Sequence, residues 1–140
     1  MSVTVAKTAG FCFGVRRAVE LAEEQAHEHG SIYAYGEIIH NMHEIERLEK
    51  MGVHTAHTIE EIPDGERVLI RAHGVPRAVY DAFRAKNCEI FDATCPFVHK
   101  IHRIVDEESR AGRLIVILGK EGHPEVEGIR GWCGESVVID

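Results

Sequence analysis

Hydrophobic residues along the chain follow two alternating patterns. Short aliphatic runs, such as "ERVLIRA" (66–72) and "RLIVILG" (113–119), alternate with segments whose apolar residues recur at helical spacing. This alternation is typical of proteins in which helices cover a parallel sheet. The pattern therefore predicts an α/β fold with parallel sheets and flanking helices.

The individual elements are short and bounded by recognisable caps. A helix with an apolar face is expected to end at Gly30, and Asn41 can cap a helix that ends at Gly52. Pro76 and Pro96 suit the first turns of two further helices, and a short helix is expected over 125–130. The predicted strands are "SVTVA" (2–6), "SIYAY" (31–35), "ERVLIRA", "CEIFDA" (88–93), "RLIVILG" and "SVVID" (136–140).

A repeat with a spacing of 83 residues relates two parts of the chain. In each, a cysteine follows a strand and opens a helix, and a histidine follows four residues after a glycine that ends the next strand. The matching pairs are Cys12 and Cys95, Gly36 and Gly119, His40 and His123, and Val15 and Val98. Because Cys and His are rare, their alignment favours a duplication.

The repeat predicts how the chain is divided. Residues 1–95 are interpreted as one complete α/β unit, with the strand near 1–8 free to pair elsewhere, and residues 96–140 as an incomplete second unit. A buried-type strand usually leads into a turn and a covering helix, so "SVVID" indicates an unfinished unit. The alternative is an edge strand at a natural terminus.

Composition and charge narrow the classes of function. The chain has 140 residues, 44% of them hydrophobic, and a formal net charge of −7. This acidic balance disfavours general binding to nucleic acid or to an anionic membrane, and the longest aliphatic run, residues 114–118, is too short to span a bilayer. A cytoplasmic location is expected, with the widely spaced cysteines as free thiols or metal ligands.

Five candidate functional residues fall at the carboxyl ends of predicted strands, where open parallel sheets bind ligands. A thiol at a helix N-cap favours the thiolate, which is the form that ligates metal or attacks. Histidines at helix starts suit a bound phosphate or diphosphate. Glu125, two residues after one of these histidines, is the acid expected to face the same crevice. The five are Cys12, His40, His73, Cys95 and His123.

Other interpretations of the same residues remain open. Histidine pairs spaced by three on one helix face predict a zinc hydrolase; these pairs are His40 with His43 and His99 with His102. Each cysteine could instead be a small buried apolar residue, which is favoured for Cys88 and Cys133. His27, His29, His54 and His57 are interpreted as surface residues. Nucleotide binding is unsupported because the phosphate-loop and GxGxxG motifs are missing from the sequence.

Five motifs, in order, resemble the LytB family of 4-hydroxy-3-methylbut-2-enyl diphosphate reductases. They are "GFCFGVRRAVE" with Cys12, "GEIIHN" with His40, "IRAHGVP" with His73, "DATCPFV" with Cys95, and "GHPEVEGIRGW" with His123 and Glu125. The resemblance implies a pseudo-symmetric fold of three similar α/β units around a [4Fe-4S] cluster. It also implies an oxidoreductase of the non-mevalonate isoprenoid pathway, which reductively removes an allylic hydroxyl to give isopentenyl and dimethylallyl diphosphates.

The resemblance also implies a role for each candidate residue. Three cysteines hold the cluster in such enzymes, and two of them match Cys12 and Cys95. The three histidines would bind the diphosphate, Glu125 would relay a proton, and ferredoxin or flavodoxin would supply electrons.

The resemblance extends over essentially the whole chain but over only about the first half of the usual family length. The third unit and the third cysteine ligand are therefore expected to be absent. The chain alone is expected to be inactive, weakly stable or self-associating. A short diphosphate-binding module without catalysis is the alternative function, ahead of the zinc hydrolase.

Overall fold

The computed structural model describes residues 2–140, which form alternating helices and parallel strands. The helices are α1 (Phe13–His29), α2 (Met42–Lys50), α3 (Arg77–Ala85), α4 (Pro96–Arg110) and α5 (Pro124–Arg130). The strands are β1 (Ile32–Tyr35), β2 (Val53–Ala56), β3 (Arg67–Ile70), β4 (Glu89–Asp92), β5 (Ile115–Leu118) and β6 (Ser136–Ile139).

Two parallel sheets confirm the predicted α/β fold. The first has the strand order β2-β1-β3-β4, and the second pairs β5 with β6. Neighbouring strands are parallel in both sheets. The division into units at residue 95 stays a prediction, although the first sheet ends at Asp92 and the second begins at Ile115.

The 83-residue spacing recurs in the strand register. Ile32 of β1 lies opposite Val53 of β2, and Ile115 of β5 lies opposite Ser136 of β6. Both members of the second pair are shifted by 83 positions from the first. The two strand pairs are therefore equivalent elements of one template.

Small side chains on α1 allow this helix to pack closely on the first sheet. Ala18 and Ala22 are fully buried and contact a cluster that includes Ile32 and Ala34 of β1. A second cluster surrounds Phe83, and a third joins α4, α5 and β5. Burial of these apolar surfaces is the main favourable contribution to folding. Among residues 2–140, no helix is both long and apolar enough to cross a bilayer.

Two of the strand predictions differ from the structure. The predicted strand at 2–6 is wrong, because these residues pair with no other strand and Val3 and Val5 are 88% and 74% exposed. Conversely, β2 was not predicted, since "VHTA" has only four residues and lacks a continuous apolar run. The predicted helix starts are close to those observed, and Asn41 Oδ1 accepts a hydrogen bond from the Glu44 backbone N–H at 3.2 Å.

Candidate functional site

Three histidines from distant parts of the chain meet at the carboxyl edge of the sheets. His40 follows β1, His73 follows β3 and His123 follows β5. The ring centroids of His40 and His73 lie 4.5 Å apart, and each lies 6.1 Å from the ring of His123. The structure therefore brings these predicted residues together, while their role stays a prediction.

Local hydrogen bonds orient two of the three rings. Nδ1 of His123 accepts the backbone N–H of Glu125 at 3.2 Å, at the start of α5. In the neutral ring the proton then lies on Nε2, which becomes a donor. Nδ1 of His40 lies 3.4 Å from Oε2 of Glu37. Nδ1 of His73 is buried and has no hydrogen-bond partner among residues 2–140.

A pocket of about 240 Å³ opens beside this cluster. Two charged residues that the sequence analysis did not select, Glu37 and Arg71, line it, and so does His57, which was interpreted as a surface residue and is indeed exposed. The complete lining is Gly36, Glu37, His40, His57, Arg71, His73 and Pro124. The missed signal for Arg71 was a cation directly after the apolar run 68–70.

Burial and neighbouring cations control the charge of His73. Burial lowers the pKa of His73 to about 4, and repulsion from His40 and Arg71 acts in the same direction. His73 is therefore neutral at neutral pH, with one ring nitrogen donating and the other accepting. Burial also lowers the pKa of Arg71, but a guanidinium remains charged at neutral pH.

The two predicted cysteine ligands occupy equivalent positions at helix starts. Cys12 is the N-cap of α1 and is exposed, and Cys95 is the N-cap of α4 and is partly buried. A Cβ atom on Gly14 would lie 2.6 Å from Cys95 Sγ, so only glycine allows this approach. The first turn of α1 therefore lies directly against the Cys95 thiol.

A hydrogen-bonded loop fixes the segment that leads to Cys95. The guanidinium of Arg17 on α1 donates to the carbonyl oxygens of Thr94 and Asp92, each at 3.2 Å. Asp92 Oδ1 accepts the Thr94 backbone N–H at 2.9 Å, and Asp92 Oδ2 accepts the Tyr80 hydroxyl at 2.8 Å. Burial alone would raise the pKa of Asp92, but these hydrogen bonds hold it below its usual value. Arg17 thus ties the helix of one cysteine to the loop of the other.

The remaining two cysteines lie away from this arrangement. Both are free and partly buried. The Cys88 thiol donates to the Pro63 carbonyl at 3.7 Å, and the Cys133 thiol donates to the Arg130 carbonyl at 3.5 Å. These contacts agree with packing roles.

The zinc interpretation finds no support in the described part of the chain. His102 is only 1% exposed and stacks on Trp132 at 5.2 Å between ring centroids. His99 instead contacts Asp92, with 3.1 Å between Nε2 and Oδ2. Within residues 2–140, no group of three or more His, Cys, Asp and Glu side chains is arranged to hold a metal ion.

Glu125 is partly buried in the first turn of α5. Its backbone N–H, rather than its carboxylate, makes the recorded contact with His123. The proton-relay role of its side chain therefore stays a prediction.

Comparison with known proteins identifies close relatives of this chain. A family model described as "LytB protein" matches residues 3–140. The 4-hydroxy-3-methylbut-2-enyl diphosphate reductase of Clostridioides difficile (strain 630) is 44% identical over 140 residues, which cover 99% of this chain and 50% of that protein. The reductase of the same name from Aquifex aeolicus (strain VF5) is 41% identical and is covered over 50% of its length.

Solved structures agree with the sequence comparisons. The chain superimposes with a TM-score of 0.85, at 41% identity, on (E)-4-hydroxy-3-methyl-but-2-enyl diphosphate reductase, described as the terminal enzyme of the non-mevalonate pathway. The match covers 99% of this chain and 50% of that structure. The match to the Plasmodium falciparum E-1-hydroxy-2-methyl-but-2-enyl-4-diphosphate reductase has a TM-score of 0.91 at 30% identity, covering 96% and 43%. The chain thus spans about half the length of its relatives.

Proposed function

Because the chain belongs to the LytB protein family, we propose that it forms the diphosphate-binding part of a 4-hydroxy-3-methylbut-2-enyl diphosphate reductase. The observation that carries this proposal is the convergence of His40, His73 and His123 beside a pocket. A buried polar group without a partner costs about 1–3 kcal/mol, and His73 Nδ1 is such a group. A bound oxygen-rich anion would provide the missing partner.

The histidines supply directed hydrogen bonds to the diphosphate. His73 is neutral at neutral pH and so retains one N–H donor. His123 presents Nε2–H, because its Nδ1 accepts from the Glu125 backbone. Donors fixed in this way orient the substrate without the cost of ordering flexible side chains.

The proposed reaction replaces the allylic hydroxyl by hydrogen. Two electrons and two protons enter, the C–O bond breaks, and the hydroxyl leaves as water. Glu125 is proposed to protonate the departing hydroxyl, which makes water the leaving group. A donor of the ferredoxin or flavodoxin class would supply the electrons, and this partner and a cytoplasmic location stay predictions.

Cys12 and Cys95 fit two ligand positions of an iron-sulfur cluster. Both are free thiols at helix starts, and Gly14 lets the first turn of α1 approach Cys95 Sγ closely. Such a cluster, when bound, supplies electrons and a Lewis-acidic iron. The protein contribution proposed here is limited to these two thiols, and further ligation would come from outside residues 2–140.

Isothermal titration with inorganic pyrophosphate tests the diphosphate site. The unsubstituted chain should bind pyrophosphate, and His73→Leu should weaken binding by about 10-fold or more, because a charge-assisted hydrogen bond is lost. His54→Leu is the matched control, since His54 lies on β2 and is exposed. No heat at millimolar pyrophosphate would contradict the proposal.

Iron and acid-labile sulfide analysis on protein purified without oxygen tests the thiol roles. Cys12→Ser and Cys95→Ser should each lower bound iron, whereas Cys88→Ser should not. Equal iron contents in all three variants would contradict the assignment of Cys12 and Cys95 as ligands.

A diphosphate-binding module without catalysis is the second candidate. It is favoured by one observation: the histidine pocket is formed within residues 2–140, whereas only two cysteines occupy helix starts there. Pyrophosphate binding without dehydroxylation, measured with a low-potential chemical reductant and cluster-loaded protein, would select this candidate.

A further inference from the structure

We propose that Arg71 provides the fixed positive charge of the histidine pocket, and that Gly36 provides the slot in which its guanidinium lies. This inference rests on the proposed diphosphate function and assigns it a residue outside the histidine set. Arg71 follows β3 directly, two positions before His73, and it lines the same pocket.

The guanidinium is held in place but not neutralised. Its Nε donates to the Gly74 carbonyl oxygen at 3.5 Å, which leaves the two terminal nitrogens available. Among residues 2–140, no carboxylate oxygen lies within the 4.0 Å ion-pair distance of Arg71, although Glu37 is close enough to stabilise its charge. Burial outweighs these interactions and lowers the pKa of Arg71, so part of the desolvation cost of the cation remains, and an anionic ligand would offset it.

Gly36 is required by the position of the guanidinium. A Cβ atom on Gly36 would lie 2.5 Å from Arg71 Nη1, and Gly36 has φ of 73°, a conformation that favours glycine. The turn after β1 is thus built without a side chain where the guanidinium lies. Any larger residue would displace the cation from the pocket wall.

The charges around the pocket explain why Arg71 is needed. His73 is neutral at neutral pH, so it donates a hydrogen bond but contributes no charge. Glu37 is an acid at the same wall, and it would repel a diphosphate. Tyr35 and Glu37 favour the charged form of Arg71, and His40, His57 and His73 line the pocket with it. The ring of His123 lies 6.1 Å from those of His40 and His73. A guanidinium stays charged at every pH used here, so Arg71 gives the pocket a positive charge that does not depend on pH.

The decisive measurement is pyrophosphate affinity as a function of pH. Titrations of the full chain near pH 6 and pH 8 compare the unsubstituted protein with Arg71→Gln. The variant should bind about 10- to 100-fold more weakly near pH 8, because the loss of a charge-assisted pair is of this size. The loss should be smaller near pH 6, where more of the pyrophosphate is protonated and its attraction to a cation is weaker.

Two further variants separate charge from folding. Arg71→Lys should bind pyrophosphate more tightly than Arg71→Gln, since lysine restores the positive charge but lacks the planar guanidinium with its paired N–H donors. Arg67→Gln is the matched control, because Arg67 lies on β3 and pairs with Glu89 at 3.3 Å, outside the pocket. Circular dichroism spectra should be unchanged for all three variants.

The outcomes distinguish the two proposals. If the unsubstituted chain binds pyrophosphate and Arg71→Gln binds it equally well at both pH values, the role of Arg71 is overturned and the diphosphate function stands. If the unsubstituted chain does not bind pyrophosphate, both proposals fail. Equal weakening at both pH values would also overturn the inference, because it would indicate a structural role for the side chain.

Discussion

Lowering the pH should destabilise this fold through one buried histidine, His102. The side chain is 1% exposed, stacked on Trp132, and neither ring nitrogen has a hydrogen-bond partner among residues 2–140. Burial lowers its pKa from 6.5 to about 4, with added repulsion from His99 and an opposing effect of Asp92. The folded state therefore disfavours the protonated ring.

The sign and size of the effect follow from proton linkage. Above pH 6.5 neither the folded nor the unfolded state binds the proton, so stability has its full value. Below pH 6.5 the unfolded state binds the proton and the folded state does not, so stability falls until the pH reaches the folded-state pKa of about 4. The loss is about 2 kcal/mol at pH 5 and about 3 kcal/mol once both states are protonated.

Urea denaturation near pH 7.5 and pH 5 measures this contribution. His102→Leu should reduce the loss of stability between the two pH values by about 2 kcal/mol, because the titrating group is removed. The variant should not lose much stability at pH 7.5, since a ring without hydrogen bonds is replaced by an apolar side chain of similar size. His43→Gln, on the exposed face of α2, is the matched control for replacing a histidine. The reasoning is refuted if His102→Leu and the unsubstituted chain lose the same stability on acidification.

Two further substitutions test elements next to the pocket, again by urea denaturation. Asn41→Ala removes the cap that accepts the Glu44 N–H and should cost about 1 kcal/mol; Asn41→Ser should recover most of it, and equal stability of all three would show that the cap is unimportant. Gly74→Ala places a Cβ 2.5 Å from His102 Cε1 at φ of 70° and should lower the free energy of unfolding by about 2–5 kcal/mol. Gly65→Ala is the control, because Gly65 has a similar φ of 78° but open space around the added Cβ, and it should cost only about 1–2 kcal/mol.

The repeat was the most informative feature of the sequence, and it also locates a strand that the local hydrophobic pattern does not indicate. Shifting "SVVI" of β6 back by 83 positions gives 53–56, which is β2, the strand that local patterns missed. A four-residue strand with two polar positions has too weak a hydrophobic pattern to be recognised as a strand from its own sequence. Conversely, Val3 and Val5 have strong β-propensity but no strand partner among the described residues. Their propensity alone predicted a strand, whereas strand formation also requires a neighbouring strand to pair with.

Topology made part of the site's location predictable. Parallel strands of one sheet have their carboxyl ends at one edge, so residues that follow β1 and β3 are candidates for one crevice without knowledge of side-chain positions. Strand β5 belongs to the other sheet, so the approach of His123 to His40 and His73 depends on how the two sheets are packed. Protonation was not predictable in the same way. The low pKa of His73 depends on its burial and on the proximity of Arg71, which are properties of the folded state.

The way in which His73 is buried explains why the two parts of the repeat must act together. Helix α5 packs on the backbone that follows His73, since a Cβ on Gly128 would lie 3.4 Å from the His73 carbonyl oxygen. The Trp132 indole N–H, just after α5, donates to the Val75 carbonyl at 2.9 Å. His123 is the N-cap of the same helix. The packing of α5 therefore both brings the imidazole of His123 to the cluster and holds His73 in its place. Both parts of the repeat therefore contribute to the pocket, and a change that loosens α5 should affect the geometry of the pocket as well as stability.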